Sequence, residues 1–280
     1  MAGVRVVTDS SCDLPAALAE EQAVAVVPLT IRFGSEELVD RRDLTPAEFW
    51  ARCARSPVLP ETAAPSPGAF EEAFRHAAES GAEGVVCVNI SSKLSATIQS
   101  AEAAARAVAS VVAVRVVDSR SATVGQGIIV LEAARLAAAG AGVDEVVAGA
   151  ERAASRARVF GTLDTLENLK KGGRIGGAQA LLGSLLSIKP VIEVRDGEVA
   201  PGPKQRTRSR ALRYVAEKVA AEPALEHLAV MHGAAPDLPQ FLDLLAPHFP
   251  REQILVSDIG PVIGSHTGPR TIGVAYQVPG

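Results

Sequence analysis

Aromatic side chains are scarce in this sequence of 280 residues, which has one Trp, two Tyr and seven Phe. A packed core must therefore be built mainly from Ala, Val, Leu and Ile, and these are available because the chain is 48% hydrophobic. Positive charge is not in excess either, since the net charge is −4. The sequence has no stripe of Lys and Arg interleaved with aromatics, which argues against nucleic-acid binding.

Cysteine is also rare, and the three thiols at Cys12, Cys53 and Cys87 are far apart, with no CxxC spacing. This pattern argues against a disulfide framework or a zinc site and favours reduced thiols in a cytoplasmic protein. Apolar runs are shorter than the ~20 residues that cross a bilayer, so we expect no stable membrane insertion. The first residues are too polar for a signal peptide and are typical of a first strand.

The sequence motifs of several common enzyme classes are missing as well. The chain contains no GxxxxGK[ST] phosphate loop, no GxGxxG, no GxSxG and no HExxH motif. We therefore expect no catalytic residues, no resident cofactor and no metal site in this chain.

Apolar and amphipathic segments alternate along the chain, which predicts an α/β fold with two lobes. In residues 1–158 the alternation favours a mostly parallel sheet that is covered on both faces. In residues 159–280 the segment Arg195-Asp-Gly197 is a tight-turn signal between two strands, which favours a mixed sheet. Strands are predicted over residues 4–8, 24–31, 84–89, 112–117, 159–163, 185–194, 198–204, 227–232, 253–259 and 271–277. Helices are predicted over residues 14–22, 45–55, 68–80, 94–109, 123–139, 164–171, 208–221 and 238–246. Residues 56–67 and 260–270 are predicted to be irregular.

Five predicted loops are rich in hydroxyl groups, glycine or basic residues, and they cover residues 8–11, 62–66, 91–97, 172–174 and 264–268. In open α/β sheets, ligands bind where the loops at the carboxyl ends of the strands meet. Each loop also has a plain structural alternative, because Ser and Thr cap helices and Gly ends them.

Four side chains in or near these loops suit the recognition of an anion. Ser95 lies at the start of a predicted helix, where free amides and the helix dipole favour negative charge. His266, between two hydroxyl residues and two glycines, can donate a hydrogen bond or act as an acid or base. Arg174 and Arg206 suit bidentate recognition of a carboxylate or phosphate. The alternatives are a helix cap for Ser95, a structural histidine and solvated arginines.

The order and spacing of these segments resemble the DegV family of fatty-acid-binding proteins almost from end to end. The matching segments are residues 7–15, 62–67, 91–100, 117–122, 166–175, 188–190 and 260–269. This sequence departs from the family pattern at several places. Ala63 and Ala64 replace a Ser-Gln pair, Ala96 and Arg270 replace glycines, and Ile98 replaces a tyrosine.

The resemblance implies a long-chain fatty acid bound between the two lobes, with no catalysis by this chain. It also implies a separate partner, a fatty acid kinase that uses ATP to convert the presented carboxylate into an acyl phosphate. Arg206 matches a family position on the kinase-docking surface. The residues that the resemblance implies around the ligand are Thr62, Ser95, Arg174, His266 and Thr267.

Two other functions stay open at this point. The chain is a hydrolase or acyl transferase if Ser95 is a nucleophile and His266 its base, which requires a hydroxyl about 3 Å from the imidazole. It is a partner-binding regulator if a bound lipid has only a structural role.

Overall fold

The computed structural model describes residues 3–280, except for the side chains of residues 184–187. The strands are β1 (Gly3–Asp9), β2 (Val24–Val27), β3 (Thr30–Phe33), β4 (Glu36–Val39), β5 (Glu61–Ala63), β6 (Ala82–Asn89), β7 (Ala113–Asp118), β8 (Ala157–Thr162), β9 (Val191–Arg195), β10 (Glu198–Pro201), β11 (Glu226–His232), β12 (Leu255–Asp258) and β13 (Ile272–Gln277). The α-helices are α1 (Ala16–Glu21), α2 (Pro46–Cys53), α3 (Pro67–Glu79), α4 (Thr97–Ala107), α5 (Val124–Ala138), α6 (Val143–Arg156), α7 (Glu167–Lys171), α8 (Arg208–Ala220), α9 (Leu238–Leu245) and α10 (Pro261–Thr267). Short 3-10 helices cover Ser10–Cys12, Gly176–Ser187 and Arg251–Gln253.

Two large sheets organise the chain. The first is parallel throughout and has the order β2-β1-β6-β7. The second has the order β10-β9-β8-β13-β11-β12, and only β11 and β12 run parallel in it. These sheets confirm the predicted α/β fold, with a parallel sheet in the first half and a mixed sheet in the second. The exact boundary near residue 158 stays a prediction.

Local sequence signals explain several of these elements. Thr45 and Glu48 form a capping box at the start of α2, with Pro46 at the first helical position, where its missing N–H does no harm. In the hairpin between β9 and β10, Asp196 and Gly197 have φ angles of 51° and 82°. A two-residue type I′ hairpin turn requires both of its central residues to lie in the left-handed region, as these two do.

Helix α5 lies between the two large sheets and joins them. Ile129 and Val130 pack into the core beneath the parallel sheet, whereas Val124 and Ile128 pack into a core with strands of the mixed sheet. A side chain at Gly125 would clash with Val159 of β8, which shows how closely α5 approaches that strand. The helix is therefore apolar around most of its surface.

Several sequence predictions about the fold are wrong or incomplete. Residues 24–31 form two strands, because Pro28 interrupts the run and has no N–H to donate to a sheet. Strand β2 joins the parallel sheet, and β3 joins a small antiparallel sheet with the order β4-β3-β5. The proline-rich segment 56–67 contains β5 of that small sheet. Helix α6 was not predicted. The predicted loop 260–270 contains helix α10.

Candidate functional site

A largely apolar cavity lies between the mixed sheet and the elements packed on its inner face. Its empty volume is about 840 Å³ when the open mouth is counted. Strands β8, β9 and β11, helix α10 and the segments that follow β2 and β6 supply its walls. Representative wall residues are Leu29, Ile90, Val159, Ile192, Met231 and Ile263.

The five side chains that the resemblance implied around a ligand all line this cavity: Thr62, Ser95, Arg174, His266 and Thr267. They come from β5, the segment before α4, the segment after α7, and α10. The fold therefore brings together residues that are far apart in the sequence, since Thr62 and His266 are separated by 204 positions. That these side chains bind a ligand stays a prediction.

Thr62 and His266 form the central contact of this group. The Thr62 hydroxyl and the His266 Nε2 share a hydrogen bond of 2.9 Å. Thr62 is held in β5 opposite Ile31 of β3, and His266 lies in the last turn of α10. Because α10 is short, its position depends on packing. A Cβ atom at Gly264 would lie 2.7 Å from a ring carbon of Phe49, so only glycine allows this close approach.

The imidazole of His266 is neutral at pH 7. Burial, with the positive charge of Arg174 as a smaller cause, lowers the pKa of His266 to about 4. Its Nδ1 atom is buried and has no hydrogen-bond partner in the described part of the chain. The ring can therefore offer hydrogen bonding to a ligand at neutral pH, while positive charge must come from another residue.

Arg174 supplies that charge. Its Nε donates to the carbonyl oxygen of Leu94 at 3.1 Å, and its Nη1 donates to the carbonyl oxygen of Gly172 at 2.6 Å. Both partners are neutral, so these bonds orient the guanidinium without cancelling its charge. Since Leu94 directly precedes Ser95, the same contact places Arg174 beside the Ser95 segment.

Ser95 has a local structural role as well as a place in the cavity wall. Its hydroxyl shares a hydrogen bond of 2.8 Å with the Thr97 hydroxyl and accepts one of 3.3 Å from the Thr97 amide. Helix α4 begins at Thr97, not at Leu94 as predicted. Ser95 therefore pairs with Thr97, and His266 Nε2 pairs with Thr62, so the geometry gives no support to a Ser95–His266 catalytic pair.

The remaining predicted site residues are Thr267 and Arg206. Thr267 uses its hydroxyl inside α10, where it donates to the Ile263 carbonyl at 3.2 Å. Arg206 is exposed between β10 and α8 and is not among the described residues that line the cavity. His266 belongs to helix α10, whereas the sequence predicted an irregular segment over residues 260–270.

The polar loop at residues 8–11 has a structural role. The carboxylate of Asp9 accepts hydrogen bonds from the Asn89 side chain at 3.0 Å and from the Ile90 amide at 2.9 Å. The Thr8 hydroxyl donates to the Val88 carbonyl at 2.7 Å. These buried bonds tie the ends of β1 and β6 together, and the side chains are not part of the cavity wall as far as the structure describes it.

The departures from the family pattern also lie outside the described cavity lining. Ala63 and Ala96 are exposed, and Ile98 is a buried residue of α4. Arg270 has a φ angle of 61°, a conformation that costs an ordinary residue roughly 1–2 kcal/mol. Its guanidinium lies 3.3 Å from the carboxylate of Asp164, which follows β8.

The sequence did not predict the apolar wall of the cavity or Thr123, which also lines it. Thr123 precedes α5 with a φ angle of 51° and donates to the buried carboxylate of Asp13 at 2.7 Å. The alternation of β8 and β9 indicates which residues share a face. Only the tertiary structure shows that the cavity-facing side of these two strands is not fully covered by other side chains.

Comparison with known proteins identifies the relatives of this chain. The sequence model of the DegV family, described as uncharacterised, matches residues 3–278. A DegV domain-containing protein of Streptomyces coelicolor is 41% identical over 280 residues, which is 98% of each chain. This chain belongs to the DegV family.

Solved DegV structures share the fold throughout. A DegV family protein of Thermus thermophilus, described as binding fatty acid, is 35% identical with a TM-score of 0.90, covering 99% of this chain and 100% of that one. DegV of Bacillus subtilis, described as a fatty acid binding protein, is 26% identical with a TM-score of 0.88 and full coverage of both chains. A stearic acid-binding protein of Eubacterium ventriosum is 26% identical with a TM-score of 0.85, covering 98% of each chain.

Two further observations concern the part of this DegV chain that the structure describes. None of its helices is both long and apolar enough to cross a membrane. None of its His, Cys, Asp and Glu side chains gather in groups of three or more that could hold a metal ion.

Proposed function

We propose that this chain binds a long-chain fatty acid in the cavity and holds the carboxylate beside Thr62, Ser95, Arg174, His266 and Thr267. The observation that carries the proposal is the hydrogen-bonded Thr62–His266 pair in the wall of an otherwise apolar cavity. Arg174 lines the same cavity and has no carboxylate partner among the side chains that the structure describes. The fatty-acid-binding relative from Thermus thermophilus, which has nearly the same fold, supports the same ligand class.

The acyl chain supplies most of the binding free energy in this proposal. Transferring ~14 methylenes from water, at ~0.8 kcal/mol each, gives roughly 11 kcal/mol of gross gain. Lost translational and rotational freedom offsets about 4–15 kcal/mol. Affinity therefore depends on how completely the apolar wall covers the chain.

The polar group determines how the ligand is oriented. A buried carboxylate without partners costs several kcal/mol, so it must meet donors where the acyl chain ends. Thr62 and Ser95 can turn hydroxyl protons towards it, His266 can offer a neutral N–H, and Arg174 supplies charge. This set suits a monoanionic head group.

The direct test is to denature the purified protein, extract it with organic solvent and analyse the extract by mass spectrometry. The proposal expects a stoichiometric long-chain fatty acid, or saturable binding of added palmitate or oleate after delipidation. If no acid is recovered and neither added acid binds, the proposal is wrong.

We further propose that the chain is a non-catalytic subunit that presents its ligand to a separate fatty acid kinase in the cytoplasm. In this view residues 1–158 and 159–280 form two lobes with the ligand between them. Arg206 is the docking residue, and its exposed position outside the cavity lining leaves it available to a partner. Ligand binding and kinase docking are then separable by mutation.

Replacing Arg206 by Ala is expected to leave palmitate affinity unchanged but to lower acyl phosphate formation about tenfold or more, because a charged contact at an interface is lost. Acyl phosphate made with ATP and a purified bacterial fatty acid kinase can be trapped with hydroxylamine and counted. Arg158→Ala, which removes another surface arginine, is the control. Unchanged turnover in Arg206→Ala would favour a regulator with a structural lipid.

Replacing Ser95 by Ala is expected to weaken palmitate binding by roughly 1–3 kcal/mol, because a buried carboxylate oxygen loses one donor. Isothermal titration of the delipidated protein measures the change. Ser66→Ala, which removes the hydroxyl that caps α3, controls for the loss of a helix-start hydroxyl. An unaltered dissociation constant in Ser95→Ala would show that Ser95 only organises the start of α4.

A further inference from the structure

Gly161 lies in the middle of β8, where a glycine has no evident structural purpose. Strand β8 is an interior strand, and Gly161 is paired with Ile192 of β9 on one side and with Gly273 of β13 on the other. Glycine weakens a strand because it loses more backbone freedom and packs no side chain. It is normally found in such a place for one of three reasons: an unusual backbone angle, a crowded neighbour, or the close approach of a ligand.

The backbone does not require glycine at this position. Gly161 keeps regular antiparallel register with both neighbouring strands. Its φ angle lies outside the left-handed region, unlike that of Gly197 in the hairpin turn, where φ is 82°. An L-residue can therefore adopt the conformation of residue 161 without strain.

Crowding by the protein does not require glycine either, as the adjacent Gly273 shows by contrast. A Cβ atom at Gly273 would lie 2.6 Å from the Met231 methyl carbon and 2.6 Å from the Phe160 carbonyl oxygen, so Met231 fills that place. A Cβ atom at Gly161 would lie 3.7 Å from both Ile192 Cγ1 and Leu163 Cδ1, which is ordinary van der Waals contact. The protein leaves room for a side chain at 161 and does not fill it.

The room above Gly161 belongs to the cavity. Gly161 lines it, as do Val159 on the same face of β8 and Ile192 on the adjacent strand. Protein interiors are packed to high density, so an unfilled side-chain volume on a buried strand is unusual. An apolar ligand lying across the strand would fill it.

From these three observations we infer that the acyl chain crosses β8 directly over Gly161, and that the size of residue 161 determines which acyl chains fit. The inference rests on the proposed function, since it names the place where the ligand touches the sheet. It makes Gly161 a specificity-determining residue, although it carries no functional group.

The test measures palmitate binding to the delipidated full-length protein carrying Gly161→Ala or Gly161→Val. A methyl group intrudes on the chain and an isopropyl group intrudes further, so the dissociation constant should rise in that order, by about tenfold or more for Val. Thermal unfolding of the ligand-free variants should stay at or above that of the wild type, because Ala and Val both favour a strand more than Gly does. Ala113→Val, at an exposed position of the edge strand β7, is the matched control.

The outcomes separate this inference from the proposal beneath it. Palmitate affinity that is equal in the wild type and in both variants would overturn the placement over Gly161 and leave fatty acid binding intact. If Gly161→Val does not fold, the inference is judged on Gly161→Ala, whose single methyl group meets only ordinary contacts. A wild-type protein that binds no palmitate would instead refute the proposed function.

Discussion

Replacing Asp13 by Asn is expected to remove a pH-dependent loss of stability of roughly 3–4 kcal/mol between pH 4 and pH 8. Burial raises the pKa of the Asp13 carboxyl to about 7, and the nearby negative charge of Asp40 adds to the effect. In the unfolded chain an Asp has a pKa of about 3.9. Between these two values the folded state binds more protons than the unfolded state, so stability falls as the pH rises and levels off above pH 7.

The surroundings of Asp13 explain why Asn should be tolerated. The carboxylate accepts hydrogen bonds from the Gly260 amide at 3.0 Å and from the Thr123 hydroxyl at 2.7 Å. Both bonds favour the charged form, but burial outweighs them. The Asn side chain can accept from Gly260 through its carbonyl and donate to Thr123 through its amide, so both contacts persist without a buried charge.

Urea unfolding of the wild type and of Asp13→Asn at a series of pH values measures this effect. The difference in unfolding free energy should grow from pH 4 to pH 7 in favour of the variant. Burial raises the pKa of Asp40, which acts in the same direction as Asp13, and lowers the pKa of His266 to about 4, which acts in the opposite direction. Both groups are present in the wild type and in the variant, so the difference between the two profiles isolates Asp13. Asp144→Asn is the control, because the Asp144 side chain is 89% exposed. Parallel profiles for wild type and Asp13→Asn would contradict the prediction.

Replacing Gly172 by Ala is expected to raise the dissociation constant of palmitate by about ten- to a hundredfold. A Cβ atom there would lie 2.9 Å from His266 Cε1 and closer still to Nδ1, so the imidazole must move. Moving it breaks the hydrogen bond with Thr62, and the carboxylate then loses donors that are worth roughly 1–3 kcal/mol together. The substitution thus disturbs the proposed head-group site without replacing any of its polar side chains.

Folding should survive this change, which makes the result interpretable. Gly172 ends α7 with φ −74° and ψ −6°, a conformation that alanine readily adopts. Thermal unfolding of the ligand-free variant and isothermal titration with palmitate give the two readouts. Gly68→Ala, in the first turn of α3, controls for a helical glycine far from His266. Normal palmitate affinity in Gly172→Ala would show that the position of the imidazole does not matter for binding.

The sequence predicted most strands and helices of this protein because their signals are local. The helix that begins after Thr45 and the Asp196-Gly197 turn depend only on neighbouring residues, and both are present as predicted. The sequence analysis missed helix α10 because the signal for this helix is not local. It contains Gly264 and several β-branched residues, which disfavour a helix, and it is held in place by contact with α2.

The sequence named residues that line the cavity but did not predict how they are arranged. The resemblance placed Thr62 and His266 near one ligand, but the residues are 204 positions apart, and only the fold shows that they share a hydrogen bond. Gly161 carried no signal at all in the sequence, because a strand glycine is informative only when its surroundings are known. The irregular region around Thr62 became a strand through pairing with β3, a contact that no local pattern encodes.

Helix α5 limits how this chain can be recombined with its DegV relatives. Since one side of the helix packs beneath the parallel sheet and the other against the mixed sheet, each half of the chain depends on a helix shaped to fit the other half. A chimera that joins the first half of one relative to the second half of another must therefore carry matched partners for α5 on both sheets. Under the proposed function, acyl preference is consequently easier to transplant by exchanging single cavity residues than by exchanging whole halves of the chain.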